Sequence, residues 1–318
     1  MKMSKSGKVV IICIAYNHED WIKESLESVA MQDYYNKELL IIDNGSKDQT
    51  KKKIQEWVAQ YTGLFPVNTL YLDESKPYCA LFNKVLFQTD AEYVVDLAGD
   101  DVFYPDHISN SIQELEKDPY AAFVFSDAYI LEPGGAIHTF YKRNNFGELS
   151  EVIELGIIYE TLLQRSFICA PTVVFNAAIL KKEGGYDPDL YYEDFDIQLR
   201  LARKYNLVFS DHIGVLKRKL YNSMSGNQYQ RYGSKMLPST LKVCEKALEM
   251  NRTPSENKAL GKRLQYELKH ALWSGNFQVA EGLVQLGEKT GLKTPIFSIY
   301  KLWTKVKLDL SWLYVRAT

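Results

Sequence analysis

Glu92-Tyr93-Val94-Val95-Asp96-Leu97-Ala98-Gly99-Asp100-Asp101 is the stretch on which the fold turns. Its opening is rich in β-formers, Gly99 breaks it, and two adjacent acids close it. The reading is a strand with Asp100 and Asp101 at its carboxyl end. In open α/β sheets ligands bind in the crevice outside those ends. Neighbouring carboxylates repel each other unless a cation or a shared proton relieves them. Oxygen-only ligation suits a hard ion such as Mg²⁺ or Mn²⁺, which commonly arrives with a substrate's phosphates. A solvated turn carrying two acids fits the same residues, so the stretch is weighed with its neighbours.

Upstream, Val9-Val10-Ile11-Ile12-Cys13-Ile14 is a continuous β-branched run, the pattern of a central parallel strand buried on both faces. Trp21, Ile22, Leu26 and Val29 follow at helical spacing. A second buried strand, Leu39–Ile42, runs into Asp43-Asn44-Gly45-Ser46. A helix carrying Ile54, Trp57, Val58 and Tyr61, a strand at Asn68–Leu72 and a helix at 78–88 complete the alternation. This is the spacing of βαβ units, so the first hundred residues are expected to form a doubly wound α/β half with a mostly parallel sheet flanked by helices.

Downstream, a helix through Leu115, a strand at Ala121–Tyr129, a helix at Tyr159–Arg165, a strand at Thr172–Phe175 and a short helix at Ala177–Lys181 are expected. Ile197, Leu201 and Tyr205 mark a helix over Glu193–Tyr205, and Val208–Phe209 and Gly214–Leu216 look like edge strands. Beyond residue 235 the pattern is helical. Thr253-Pro254 is a cap and first-turn signal. Leu260, Leu264, Leu268 and Leu272 form one stripe, and Gly275-Asn276 turns the chain into a helix at Phe277–Gly287. The last helix is expected over Ile296–Val315, with a stripe at Ile296, Ile299, Tyr300, Trp303, Val306, Leu310 and Leu313.

The chain has 318 residues and a net charge of -2, so nothing pulls it overall toward nucleic acid or anionic lipid. Its 22 tyrosines suit carbohydrate-like ligands, although genome composition produces them too. Cys13, Cys79, Cys169 and Cys244 have no short spacing, which favours reduced thiols in a cytoplasmic protein over disulfides or a zinc site. The short apolar run after a basic start does not read as a signal peptide. No stretch approaches the ~20 apolar residues of a spanning helix, so any membrane contact is expected to be peripheral, at the inner face.

Two further motifs carry chemistry. Asp43-Asn44-Gly45-Ser46-Lys47-Asp48 puts an acid at a strand end, where it can meet a base N–H or a ribose hydroxyl, or merely turn the chain. Gly184-Gly185-Tyr186-Asp187 precedes Glu193-Asp194-Phe195-Asp196 at a helix start. Acids there answer the helix dipole, and one aimed into a cleft can act as a general base.

The ordered set resembles family 2 glycosyltransferases of the GT-A fold. Ile12–Asn17, Ser25–Gln32, Ile42–Asp48, Ala98–Asp101, Gly184–Asp187 and Glu193–Asp196 carry the resemblance, over roughly residues 8–226. It implies a GT-A domain over 1–234 and a helical C-terminal region over 235–318. It implies an inverting enzyme that moves a sugar from a nucleotide-diphosphate donor, UDP most commonly, to a glycan or lipid-linked acceptor hydroxyl in surface polysaccharide biosynthesis. Asp43 alone does not exclude dTDP or GDP sugars. By the resemblance, Ala15, Tyr16 and Asn17 line the nucleoside pocket, Asp43 binds the base with Asp48 at its rim, and Asn44 is among the nucleotide-sugar-binding residues. Asp100 and Asp101 hold a divalent cation, Mn²⁺ or Mg²⁺, and the donor diphosphate. Asp194 is the catalytic base, with Glu193 beside it.

Some positions depart from the family pattern. Ala98 replaces the first acid of the metal motif, Phe82 replaces an Arg for which Lys84 stands in, and Arg218-Lys219-Leu220 replaces Arg-x-His. Arg218 is expected at the leaving diphosphate. A nucleotidyltransferase is disfavoured, because no glycine-rich phosphate loop with a Lys follows the first strand. A degenerate GT-A module that binds glycan or scaffolds without catalysis is the alternative. The basic-aromatic segment 296–315 is expected to meet a membrane surface or a second copy, or to pack on its own domain.

Overall fold

A computed structural model describes residues 7–153, 155, 158–220 and 225–314. In chain order the elements are β1 (Val9–Ala15), α1 (Ile22–Ala30), β2 (Lys37–Asp43), α2 (Thr50–Gln60), β3 (Val67–Tyr71), α3 (Tyr78–Leu86), β4 (Tyr93–Ala98), β5 (Val102–Phe103), α4 (His107–Leu115), β6 (Ala121–Leu131) and β7 (Ile137–Thr139). They continue with α5 (Tyr159–Gln164), β8 (Val174–Asn176), α6 (Ala177–Lys182), α7 (Asp194–Ala202), β9 (Asn206–Arg218), α8 (Met236–Met250), α9 (Pro254–Trp273), α10 (Phe277–Lys289) and α11 (Pro295–Val306).

The chain forms two compact units. The first comprises the described residues of 1–157, 168–188 and 204–220. It holds one sheet in the order β3-β2-β1-β4-β8-β6-β9-β5, with β7 on β6. The first four strands are parallel, and β8 joins β4 to β6 in antiparallel sense. All of β1 is buried, as its unbroken apolar run requires. Val9, Ile11, Cys13 and Ala15 face a core with Ile22, Leu26, Val95 and Leu97. Strand alternation then puts Ile12, Ile14, Asp96 and Ala98 on the opposite face. Ala15 pairs with Asp43 and Ile14 with Ala98, so β1, β2 and β4 end level.

Two expectations are corrected here. The two edge strands expected at 208–209 and 214–216 are one 13-residue strand, β9, parallel to β6 and flanked by β5 on its other side. The polar Ser210-Asp211-His212 between them sits at a bulge, where the register jumps from Ser126↔Ser210 to Asp127↔Ile213. The last helix ends at Val306, because Lys307 turns left-handed (φ 52°), and Ser311–Leu313 adds only a 3₁₀ turn. Val315 lies outside the described residues. Of the expected stripe, Ile296, Ile299, Val306 and Leu313 are exposed, whereas Phe297 and Thr304 are the buried side chains of α11. The packing face follows Gly287, which leaves room for the Phe297 ring where a Cβ would strike it at 2.7 Å.

The second unit groups 158–167, 189–203 and the described residues from 225 onward. The boundary read at 234/235 therefore runs through it, since α5 and α7 pack with α8 and α9. Pro254 opens α9 behind a capping box, with Thr253 accepting from Glu256 N and Glu256 reaching back to Thr253 N. Leu260, Leu264, Leu268 and Leu272 are fully buried against α10. Gly275 (φ +71°) supplies the left-handed turn between the two helices.

Candidate active site

In the first unit the β1–α1 and β2–α2 loops are laced together. Asn17, at a positive φ of 57°, accepts from Lys47 N at 2.8 Å and donates its own N–H to the Ser46 hydroxyl at 3.0 Å. His18 N donates to Thr50 Oγ1, and Glu19 N to Asp48 Oδ2. Although burial opposes it, bonds from Thr50 and the Glu19 backbone hold the Asp48 carboxyl below its ordinary value. Ala15 is buried and Tyr16 is 45% exposed beside this lacing.

Asp43, at the end of β2, is 1% exposed. Its Oδ1 accepts weakly from Ser46 N at 3.4 Å, and Oδ2 has no partner among the described residues. A buried carboxylate oxygen without a donor is costly unless a ligand supplies one. Asn44 follows it and bonds the loop before α3. Its amide donates to Lys76 O at 3.0 Å and accepts from Lys76 N at 2.8 Å, which orders the loop before α3.

Asp101 follows β4 and is 4% exposed. Its Oδ1 accepts from Arg218 N at 3.0 Å, and its carbonyl accepts from the Ser25 hydroxyl. Burial first, and then the Asp100 charge, push its carboxyl well above the usual carboxylate range, against the pull of Lys217 and Arg218. His18 Nε2 stands 3.9 Å from Asp100 Oδ1. The Arg218 guanidinium is engaged within the protein: it donates to Asp100 O at 2.7 Å, pairs with Glu24 at 2.5 Å and lies 4.9 Å over the Trp21 ring. These contacts tie Arg218 to the loop that carries the two acids. Lys84 sits on the exposed side of α3, in the last turn, and no described contact joins it to these residues.

In the second unit, Glu193 caps α7 and Asp194 opens it, with Asp194 Oδ1 accepting from Phe195 N at 2.7 Å. Asp196 is structural: it is buried between Arg200 (2.7 Å) and Lys246 (2.8 Å). Tyr191 N donates to Ser239 Oγ, and Tyr192 bonds Thr240, which fastens the segment before Asp194 to α8.

Sequence reasoning missed three features. Asn83 clamps Tyr186 from both sides, Asp96 accepts from Tyr78 and Tyr186, and His18 faces Asp100. The available signal was Asp96 itself, a charged residue inside an otherwise apolar strand.

The family model described as Glycosyl transferase family 2 matches residues 10–183, more than half of the chain. The chain belongs to glycosyltransferase family 2. Among curated relatives, an uncharacterized glycosyltransferase of Rickettsia typhi is 25% identical over 224 residues, covering 70% of this chain and 67% of that protein. The putative glycosyltransferase EpsE of Bacillus subtilis is 26% identical over 212 residues, covering 64% and 72%. Protein CgeD of B. subtilis is 31% identical over 147 residues, 43% of this chain and only 34% of CgeD. Staphylococcus aureus TarS 1–349, in complex with UDP-GlcNAc, matches with a TM-score of 0.69 at 15% identity, over 94% of this chain and 88% of that one. A mannosyltransferase of Pyrobaculum calidifontis, in complex with GDP-Man and Mn²⁺, matches at 0.58 and 15% identity, over 96% and 85%. The fold is therefore GT-A.

The adjacent carboxyls of Asp100 and Asp101 are hard oxygen donors of the kind a divalent cation takes. No three His, Cys, Asp or Glu side chains of the described residues converge as a complete metal site. Mg²⁺-type sites commonly take only one or two carboxylates and complete their shell with substrate phosphates and water. Burial and then the Asp100 charge raise the Asp101 carboxyl, and a cation beside the two acids would offset both.

Proposed function

We propose that this glycosyltransferase domain transfers a sugar, with inversion, from a UDP-sugar to a hydroxyl of a glycan or lipid-linked acceptor during surface polysaccharide synthesis. The observation that carries the donor half is the pairing of two frustrated acids at level strand ends. Asp43 has a buried oxygen without a donor among the described residues, and Asp101 is pushed up by burial and then by the charge of Asp100. The first answers a base N–H and the second a cation-bound diphosphate. UDP is preferred because the structural relative TarS binds UDP-GlcNAc, and GDP is the competing outcome from the Pyrobaculum relative.

Asp100 and Asp101 would hold Mn²⁺ or Mg²⁺, which supplies Lewis-acid stabilisation of the leaving diphosphate when bound. Ala15, Tyr16 and Asn17 would shape the nucleoside pocket, whose loop Asn44 orders through Lys76. Arg218 would position the acids by its grip on Asp100 O. Asp194, with Glu193 beside it, would accept the proton of the acceptor hydroxyl as that oxygen attacks the anomeric carbon opposite the nucleotide. Inversion needs no covalent enzyme intermediate.

No helix of the described residues is long and apolar enough to cross a membrane. The exposed Ile296, Ile299, Leu302 and Val306 of α11, beside exposed Lys293 and Lys305, fit peripheral contact with an anionic bilayer. That would suit a lipid-linked acceptor at a cytoplasmic membrane face.

Asp194→Asn tests the assignment of the base. Metal-dependent binding of the donor nucleotide should be unchanged. Nucleotide release in the presence of acceptor should fall by about 10²–10⁴-fold. Wild-type turnover in that variant would remove Asp194 from the role.

A further inference from the structure

Asp96 has no role in the scheme above, yet a carboxylate in the middle of an apolar strand is costly to keep. It lies on the sheet face that it shares with Ile12 and Ala98. The Tyr78 hydroxyl, at the start of α3, donates to Oδ1 at 2.5 Å, and the Tyr186 hydroxyl donates to Oδ2 at 3.0 Å. Burial pushes the Asp96 carboxyl up to about 6 despite both bonds. Asp96 and Tyr78 are nevertheless only half-buried. Above Asp96 on the same face stands Ala98, also half-buried, where the family's first metal-motif acid is absent.

The surroundings of this carboxylate are rigid. Tyr186 stacks on Phe82 at 4.2 Å. Its backbone is clamped on both sides by Asn83, with Nδ2 donating to Tyr186 O at 2.6 Å and Oδ1 accepting from Tyr186 N at 2.8 Å. Gly185, at φ +68°, makes the clamp possible, because a Cβ there would lie 2.3 Å from Asn83 Oδ1. The Gly184-Gly185-Tyr186 motif thus delivers one tyrosine hydroxyl to one carboxylate. Such pre-organisation is characteristic of a recognition group.

We infer that Asp96, braced by Tyr78 and Tyr186, is a specificity-determining residue that binds hydroxyl groups of the donor's sugar. This rests on the donor reading given above. Across the sheet the order is β2, β1, β4, β8. A nucleotide sugar whose base meets Asp43 on β2 and whose diphosphate meets Asp100 and Asp101 after β4 carries its sugar onward, to the side from which Tyr186 comes. A carboxylate accepts up to about four hydrogen bonds, so two tyrosine donors leave capacity for sugar hydroxyls. Charge-assisted bonds of this type are the strong ones, and a site built for a hydroxyl rejects analogues that misplace it.

The test compares Mn²⁺-dependent binding of free UDP, UDP-GlcNAc, UDP-GalNAc, UDP-glucose and UDP-galactose by the whole protein, Asp96→Asn and Tyr78→Phe. UDP affinity should be unchanged in both variants. The extra affinity conferred by the preferred sugar should fall by about tenfold or more in Asp96→Asn, with the preference between epimers lost. Tyr78→Phe, which keeps the carboxylate, should give a smaller loss of the same kind. Equal losses for UDP and UDP-sugars would make Asp96 merely structural and overturn the inference. So would unchanged epimer preference in variants that melt like the wild type. Failure of the wild type to bind any of these nucleotides would instead remove the UDP-donor reading, and the inference with it.

Discussion

Asp43, Asp96 and Asp101 are three carboxylates that the first unit keeps at a cost, and each has a different remedy. Asp43 lacks a donor to one oxygen among the described residues, Asp96 takes two tyrosine hydroxyls, and Asp101 suffers burial and then the charge of Asp100. The raised carboxyl of Asp96 fixes a sign for stability. The folded state holds its proton up to about pH 6, whereas the ordinary value is 3.8. Stability from this group is complete below the ordinary value and is lost as pH rises toward 6. Thermal melting should therefore show Asp96→Asn gaining on the wild type between about pH 4 and pH 6. A pH-independent difference would show that the carboxyl titrates normally. In the second unit, Asp196→Ala leaves Lys246 and Arg200 without their buried partner. Denaturant unfolding should record a loss of about 1–3 kcal/mol, since the two cations left behind reach solvent. The sequence placed Asp43, Asp100 and Asp101 at strand ends because turn formers follow apolar runs. It could not show that Asn44 and Arg218 spend their donors on Lys76, Asp100 O and Glu24, since spacing fixes where a residue stands and not where it points.

Among the elements, β1, β2 and β4 were legible because strands buried on both faces leave unbroken apolar runs. β9 was not, because its bulge carries Ser210-Asp211-His212 at the surface of the pattern, with Arg143 pairing to Asp211. Nor was the orientation of α11, whose apolar residues occupy more than one face. Phe297 enters beside Gly287, and Ile296, Ile299, Leu302 and Val306 stay outside. If that face lies on lipid, the whole chain should float with vesicles rich in anionic phospholipid and less with zwitterionic ones. Ile299→Glu with Leu302→Glu should abolish flotation without lowering the melting temperature. Equal flotation of the double variant would put the contact elsewhere.

At the scale of the molecule, the alternation of strand and helix made the α/β half readable, and the ordered motifs that resemble family 2 glycosyltransferases implied its GT-A class. The second unit escaped, because residues 158–167 and 189–203 join the C-terminal helices through contacts far apart in sequence. Tyr159 bonds Asn251, Arg203 pairs with Glu256, and Asp196 pairs with Lys246. The helix that carries Asp194 is thus built on α8 and α9. A chain ending at Ser234 should fail to fold cooperatively, visible as loss of a sharp melting transition and rapid proteolysis between 158 and 203. A stable, protease-resistant 1–234 would show that α7 stands without them.

The central claim is that Asp100 and Asp101 bind a nucleoside-diphosphate sugar through a divalent cation, with Asp43 on the base. Thermal shift with UDP, GDP, dTDP and CMP, each with and without Mn²⁺, on the wild type and Asp101→Asn, tests it most directly. A rise with UDP that needs Mn²⁺ and vanishes in Asp101→Asn is the predicted result. No shift with any nucleotide, or an equal shift without metal or in the variant, would contradict it.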